Sequence, residues 1–166
     1  MKANQPLSRG FNVAVNTVAR RLLPCGFDVA ADSPTTHKSL VSHYRATGRV
    51  LVWSGASEKT VFACHETNYA FRAWHDSKHI LFNLPFTMEG ESEVMRLQQR
   101  DIRVLYDGTR ADLFCAILEG EIIGQGEYNA ARGGFPVNQF AFVAAYLLNP
   151  KRALKSDFGV SPVGVG

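Results

Sequence analysis

The segment from residue 65 to residue 82 constrains the fold more than any other part of the sequence, because its polar residues recur with helical spacing. Five of them follow one another at intervals of 3, 4, 3 and 4 residues, namely His65, Asn68, Arg72, His75 and His79. Intervals of three and four keep side chains on one face of an α-helix. This polar stripe, flanked by apolar residues on both sides, predicts a helix over about 66–82.

The composition of the polar stripe favours a functional cleft over a solvated helix face. Solvent-facing helix positions are usually occupied by Lys, Glu and Gln, which are good helix formers. The stripe holds histidine, asparagine and arginine instead, and it contains three of the five histidines of the chain. The alternative interpretation is a set of buried histidines that only satisfy hydrogen bonds inside the core.

Hydrophobic periodicity predicts further helices, for a total of about six. Besides the segment at 66–82, helical spacing covers 11–23, 36–47, 89–106, 111–131 and 137–148. Ser8 and either Thr35 or Thr36 are suited to cap the first two of these helices. Three glycines between positions 120 and 126 weaken the expectation of a regular helix there by ~1 kcal/mol each.

Two short runs of β-branched and apolar residues predict the remaining regular structure. RVLVW at 49–53 and TVFAC at 60–64 are separated by SGASEK, an arrangement typical of a small hairpin. The predicted fold class is therefore mainly α: a single compact helical domain with one small β-hairpin. We expect the domain to span 1–155 and a flexible C-terminal tail to span 156–166.

The composition argues against a disordered chain and against a disulfide-stabilised secreted domain. Apolar residues form 46% of the chain and charged residues 20%, which is enough to build a core. The three cysteines form no CxxC pair, which indicates a reducing compartment. The N-terminal segment has no apolar signal core, and no run approaches the ~18 apolar residues of a membrane span. We therefore expect a cytoplasmic protein without membrane contact.

The string HDSKH at 75–79 carries the strongest chemical signal in the polar stripe. Its two histidines lie one helical turn apart, so both imidazole rings can reach a single ion. The predicted metal ligands are His65, His75, Asp76 and His79, and the predicted catalytic residues are Asp76, Glu91 and Arg72. The downstream glutamates Glu89, Glu91 and Glu93 are further candidates for an oxygen ligand or a base. The expected ion is a divalent metal, zinc, manganese or iron, which would lower the pKa of a bound water and supply a nucleophile.

Zinc peptidases use a similar ligand pattern, in which His-x-x-x-His is combined with a distant carboxylate. Those enzymes place Glu directly after the first histidine as the general base. Asp76 occupies that position here, and its shorter side chain reaches a different place. A small zinc peptidase is therefore one alternative function.

The string WHDSKHILFNLPFTMEGE resembles the His-Asp motif and the following Gly-Glu pair of nucleotide-cleaving HD-domain phosphohydrolases. Those enzymes are all-helical, so the resemblance implies a helical, metal-dependent phosphohydrolase acting on a nucleotide or another small phosphorylated substrate. It implies that His75 and Asp76 are the central metal ligands. The implied upstream ligand is His43 or His65, and the implied downstream ligand is Asp101, Asp107 or Asp112.

The phrase FRAWHDxxH followed by FTxEGE is also similar to small bacteriophage-type proteins of unknown role. This likeness implies that the chain acts in the cytoplasm of a host cell. It adds a second alternative function, a non-catalytic phage accessory protein that binds a host or virion protein.

Basic residues in the first two predicted helices suggest a further way to bind phosphate groups. They are Arg9, Arg20, Arg21, Lys38 and Arg45. No aromatic residues are interleaved with them, and no helix-turn-helix follows. Direct binding of nucleic acid is therefore a weaker expectation than metal-dependent chemistry.

Overall fold

The computed structural model describes residues 5–161, and these residues fold mainly into helices, which confirms the predicted class. The elements in chain order are α1 (Arg9–Leu22), β1 (Asp28–Ala30), α2 (His37–Thr47), β2 (Leu51–Trp53), α3 (His65–Leu81), α4 (Met88–Leu105), α5 (Gly108–Glu119), a π-helical turn (Gly120–Gly124), α6 (Gln125–Arg132), α7 (Gln139–Leu148) and α8 (Pro150–Lys155). Within the described part of the chain, none of the helices combines the length and hydrophobicity needed to cross a bilayer.

The predicted helix caps are present in the structure. The Ser8 hydroxyl accepts a hydrogen bond from the backbone N–H of Phe11, at the start of α1. Thr36 and Ser39 form a reciprocal capping box at the start of α2. Side-chain oxygens at these positions satisfy backbone N–H groups that have no partner inside the helix, and this fixes where each helix begins.

The small sheet differs from the predicted hairpin, because β1 pairs with β2 in parallel and residues 60–64 form no strand. Parallel strands need a crossover connection, and α2 provides it. The segment 60–64 is instead held beneath α1, where the backbone N–H of Ala63 donates to Asn12 Oδ1 at 2.7 Å. The side-chain amide of Asn12 thus takes the place of a partner strand. Apolar patterning alone does not reveal such a contact.

Large aromatic side chains fill the core between α1, α3 and the helices that follow. The largest fully buried ones are Trp74, Tyr128, Phe11, Phe62, Phe114 and Phe142. Trp74 Nε1 donates to Asp101 Oδ2 at 2.8 Å, and Lys78 Nζ lies 2.6 Å from the same oxygen. Lys78 is buried, so this shared carboxylate neutralises its charge while joining α3 to α4.

The glycine-containing helix is continuous from Gly108 to Arg132, but its middle is a π-helical turn. A Cβ atom at Gly124 would lie 2.8 Å from a ring carbon of Tyr146 on α7. Glycine there permits a close helix contact, which offsets its low helix propensity. The segment is therefore helical despite its glycines.

The described part of the predicted flexible tail, residues 156–161, is packed onto the domain. The backbone N–H of Phe158 donates to Tyr128 Oη at 3.0 Å, and that hydroxyl donates to the carbonyl of Gly159 at 2.9 Å. The backbone N–H of Ser161 donates to the carbonyl of Phe135. The rest of the predicted tail, 162–166, lies outside the described residues.

Replacing Gly124 by alanine should destabilise the protein by about 1–3 kcal/mol, because the added methyl group overlaps the Tyr146 ring. Gly126→Ala is the matched control, since its nearest neighbour is the flexible Met88 side chain. That control should be neutral or stabilising by roughly 0.5–1 kcal/mol through helix propensity. Denaturant unfolding measures both changes, and equal effects in the two variants would contradict the proposed packing.

Candidate metal centre

Two successive helices bring His75, His79 and Glu91 together. The two histidines lie one turn apart on α3, and Glu91 lies in the first turn of α4. The intervening loop, residues 82–87, packs closely on that turn, because a Cβ atom at Gly90 would overlap the carbonyl oxygen of Pro85. One potential ligand atom from each of the three side chains lies within 4.8 Å of the others.

The spacing of these ligand atoms suits a single metal ion. The Nε2 atoms of His75 and His79 are 3.1 Å apart. Glu91 Oε2 lies 3.0 Å from His75 Nε2, and Glu91 Oε1 lies 3.3 Å from His79 Nε2. Ligands about 2.0–2.1 Å from a tetrahedral zinc ion are separated by roughly 3.3 Å. Two imidazoles and a carboxylate can therefore hold such an ion with little rearrangement.

The other nitrogen of each imidazole is held by an oxygen acceptor. His79 Nδ1 lies 2.9 Å from the carbonyl oxygen of Leu84, and His75 Nδ1 lies 3.0 Å from Gln98 Oε1. A carbonyl oxygen only accepts hydrogen bonds, so the Nδ1 atoms carry the protons. In the neutral rings, both Nε2 lone pairs then point into the site, which is the arrangement that metal-binding histidines use.

The Nε2 lone pairs of His75 and His79, 3.1 Å apart, repel each other unless a positive charge lies near them. The burial of the site increases this demand for positive charge. His79 is fully buried, and the side chains of His75 and Glu91 are 16% and 25% exposed. Burial lowers the pKa of His75, but the Glu91 charge outweighs it and leaves the pKa raised. Burial raises the pKa of Glu91, but the two histidines outweigh it and leave the pKa lowered. A proton meets the demand for positive charge here, and a metal ion can replace it.

Asp76, predicted both as ligand and as catalytic residue, is not part of the three-residue group. Burial raises its pKa to about 6, while the charges of His75 and His79 lower it and the charge of Glu91 raises it. The carboxylate therefore lies close enough to the group to interact with it electrostatically. It makes no hydrogen bond or ion pair with the described residues.

The polar stripe divides into two parts with different contacts. His75 and His79 belong to the candidate metal centre, whereas the N-terminal half of the stripe faces the segment 53–58. His65 Nε2 lies 3.6 Å from Glu58, and Asn68 Nδ2 donates to Ser57 Oγ at 2.8 Å. The structure thus places the predicted ligand His65 apart from the group formed by the two later histidines.

Arg72, predicted as a catalytic residue, is directed at backbone carbonyls of the same segment. Its guanidinium donates to the carbonyl oxygens of Trp53, Gly55 and Ala56, and it stacks over the Trp53 ring at 5.3 Å. These contacts support the segment 53–58 structurally. A catalytic role for Arg72 stays a prediction.

The ligand set departs from the one that the HD-domain resemblance implies. His79 and Glu91 stand beside His75 in the group, and Asp76 does not. Among the implied downstream ligands, Asp101 pairs with Lys78, and Asp112 pairs with Arg103. The arrangement matches the His-x-x-x-His pattern with a distant Glu more closely.

Gln98 and Leu84 contribute to the site but were not predicted from the sequence. Gln98 lies seven residues after Glu91, so the two side chains share a face of α4. That heptad spacing is a signal that could have identified Gln98. The Leu84 contribution comes from its backbone, which side-chain patterns do not report.

Comparisons of the chain with protein-family models, with curated proteins and with solved structures find no significant match.

Glu121, a partly buried residue on the π-helical turn, adds a second electrostatic feature. Its Oε1 atom is buried and has no hydrogen-bond partner, and Nε2 of nearby Gln125 also has none. Burial raises the pKa of Glu121 to about 8, although the positive charge of Arg72 lowers it in part. Turns of π-helix often occur at functional sites. Sequence periodicity does not identify such a turn, so it would overlook Glu121.

Glu121→Gln should stabilise the protein at neutral and alkaline pH. The folded-state pKa of about 8 exceeds the ordinary value of 4.5, so the wild type loses stability as the pH rises between these values. The variant should gain roughly 1–3 kcal/mol near pH 8 and little near pH 4.5. Denaturant unfolding over this pH range measures the difference.

Glu127→Gln is the matched control, because it removes an exposed carboxylate from the same continuous helix. It should change the free energy of unfolding less than Glu121→Gln does. The free energy of unfolding of the wild type should fall relative to that of Glu121→Gln between pH 4.5 and pH 8. A relative rise over this range would contradict the burial of the Glu121 carboxylate.

Proposed function

We propose that this protein binds one divalent metal ion, zinc, manganese or iron, and hydrolyses a small phosphorylated substrate. The single observation that carries the proposal is the convergence of His75 Nε2, His79 Nε2 and the Glu91 carboxylate at spacings of 3.0–3.3 Å. Three protein ligands leave at least one coordination position open, as catalytic zinc sites do.

The surroundings of the group support a catalytic role over a purely structural one. Structural zinc sites are usually closed by four protein ligands, whereas this group supplies three among the described residues. A bound ion would lower the pKa of a water molecule and polarise a phosphoryl oxygen. Glu91 would bring one negative charge and the imidazoles none, so a divalent ion would keep a net positive charge that attracts an anionic substrate.

Asp76 is the side chain we assign to proton transfer. It follows His75 directly on α3, it interacts electrostatically with both histidines, with Glu91 and with Arg72, and its carboxylate makes no hydrogen bond with the described residues. A general base must lie near the water that it deprotonates. Asp76 would accept that proton and return it to the leaving group.

A second candidate function is peptide hydrolysis, because the His-x-x-x-His pair with Glu91 has the ligand types of a zinc peptidase. In that case Asp76 would take the place of the usual glutamate. The phosphorylated substrate is preferred because its negative charge would be attracted by the net positive charge of the bound ion, although the ligand set itself is closer to that of a zinc peptidase. A phage accessory protein without catalysis would retain the metal only as a structural element.

Purified protein should bind about one equivalent of Zn²⁺ or Mn²⁺ through the three-residue group. His79→Ala should abolish this binding, and Gln98→Ala should weaken it about 10–100-fold, because it releases the His75 ring. Isothermal titration calorimetry and elemental analysis measure both affinity and stoichiometry. Added metal should also raise the melting temperature of the wild type.

His65→Ala is the matched control, because it removes a histidine of the same helix that lies outside the group. It should retain wild-type metal binding. Equal loss of binding in His65→Ala and His79→Ala would show that the group is not the binding site.

Metal-dependent hydrolysis of bis(p-nitrophenyl) phosphate should be lost in His79→Ala. Asp76→Asn should keep the metal but lower kcat by about 10²–10⁴-fold, because it removes the proton acceptor. A parallel assay with a fluorogenic peptide tests the peptidase alternative. Full metal binding with no turnover of either substrate would favour the non-catalytic role.

A further inference from the structure

A groove between α1 and α3 forms a second candidate site, on residues that the metal centre does not use. One part of it is a cavity of about 420 Å³ that includes Arg9, Asn16, Arg20 and Thr67 in its lining. A neighbouring cavity of about 250 Å³ shares Asn16 and Arg20 and adds Phe27. The shared residues make the two cavities parts of one groove, called the α1–α3 groove.

The larger cavity carries positive charge without a balancing carboxylate. Its lining includes Arg9 and Arg20 and no acidic residue. The two arginines lie eleven residues apart on α1, which corresponds to three helical turns and places them on the same face. Both are exposed, and neither forms an ion pair with the described residues. Exposed guanidinium groups without an ion pair are suited to bind phosphate oxygens.

The smaller cavity has a different chemical character. Ala19, Leu23 and Phe27 give it an apolar wall. Phe27 is partly buried against the core, so its ring is held in place. The one acidic side chain in the lining is Glu66, and a carboxylate can accept a hydrogen bond from an N–H group of a base, such as N3–H of thymine. This end suits a planar, partly apolar group better than a second phosphate.

We infer that the α1–α3 groove binds a nucleoside phosphate, with its phosphate at Arg20, which lines both cavities, and its base against Phe27. Arg9 adds positive charge further along the same groove. An acidic peptide would use the two arginines but would leave the aromatic end without a matching group. The ligand is either a free nucleotide or one unit of a single-stranded nucleic acid, since both carry the same phosphate, sugar and base. The inference does not depend on the metal centre.

The test measures binding of dTMP and of a fluorescein-labelled oligothymidylate, with a chelator present so that no metal ion contributes. Calorimetry follows dTMP, and fluorescence anisotropy follows the oligonucleotide. In about 50 mM salt, the double variant Arg9→Gln/Arg20→Gln should weaken binding about 10-fold or more. Circular dichroism checks that each variant folds.

The matched control is Arg21→Gln/Arg45→Gln, which removes the same charge from residues that do not line the groove. It should change the affinity by less than about 3-fold. Equal weakening in the two double variants would show nonspecific attraction and overturn the inference, as would the failure of both probes to bind wild-type protein. Equal affinity for dTMP and the oligonucleotide would identify a free nucleotide as the ligand, and binding of the oligonucleotide alone would identify a strand.

Discussion

The contact between the Glu91 carboxylate and two imidazole rings is the interaction on which the arrangement of α3 and α4 depends. It joins the two helices where the chain reverses direction, and it compensates the electrostatic cost of two buried nitrogens 3.1 Å apart. Further along the same helix pair, Lys78 and Trp74 share the Asp101 carboxylate. Both junctions place a carboxylate of α4 against polar groups of α3, so removal of either carboxylate would leave buried donors unpaired.

The helix α3 contributes side chains to several surfaces of the protein. The N-terminal half of the polar stripe supports the segment 53–58, and its C-terminal half contributes to the candidate metal centre. A different face of α3 lines the α1–α3 groove with Thr67 and Ala70. The residues of α3 differ in chemical type from face to face because each face has a different neighbour.

Local features of the fold could be predicted from the sequence, and long-range features could not. Helical spacing identified α3 and placed His75 and His79 one turn apart, because i and i+4 positions are neighbours in any α-helix. The third member, Glu91, was predicted as catalytic and as one of three glutamates that could serve as an oxygen ligand or a base. The sequence did not single it out among the three, because its position depends on how the loop 82–87 folds back. The parallel strand pairing was missed for the same reason, since β1 and β2 meet only after α2 has formed.

The loop between α3 and α4 is bonded to the end of α3 in both directions. The backbone N–H of Leu84 donates to the carbonyl of His79, and the carbonyl of Leu84 accepts from the imidazole of the same residue. Asn83 adopts a positive φ of 51° beside this pair, a conformation that asparagine tolerates better than most residues. Insertion or deletion of a single amino acid in this connection would rotate the His79 ring without altering any side chain of the three-residue group, so the length of the turn is as much a part of the candidate site as the histidines themselves.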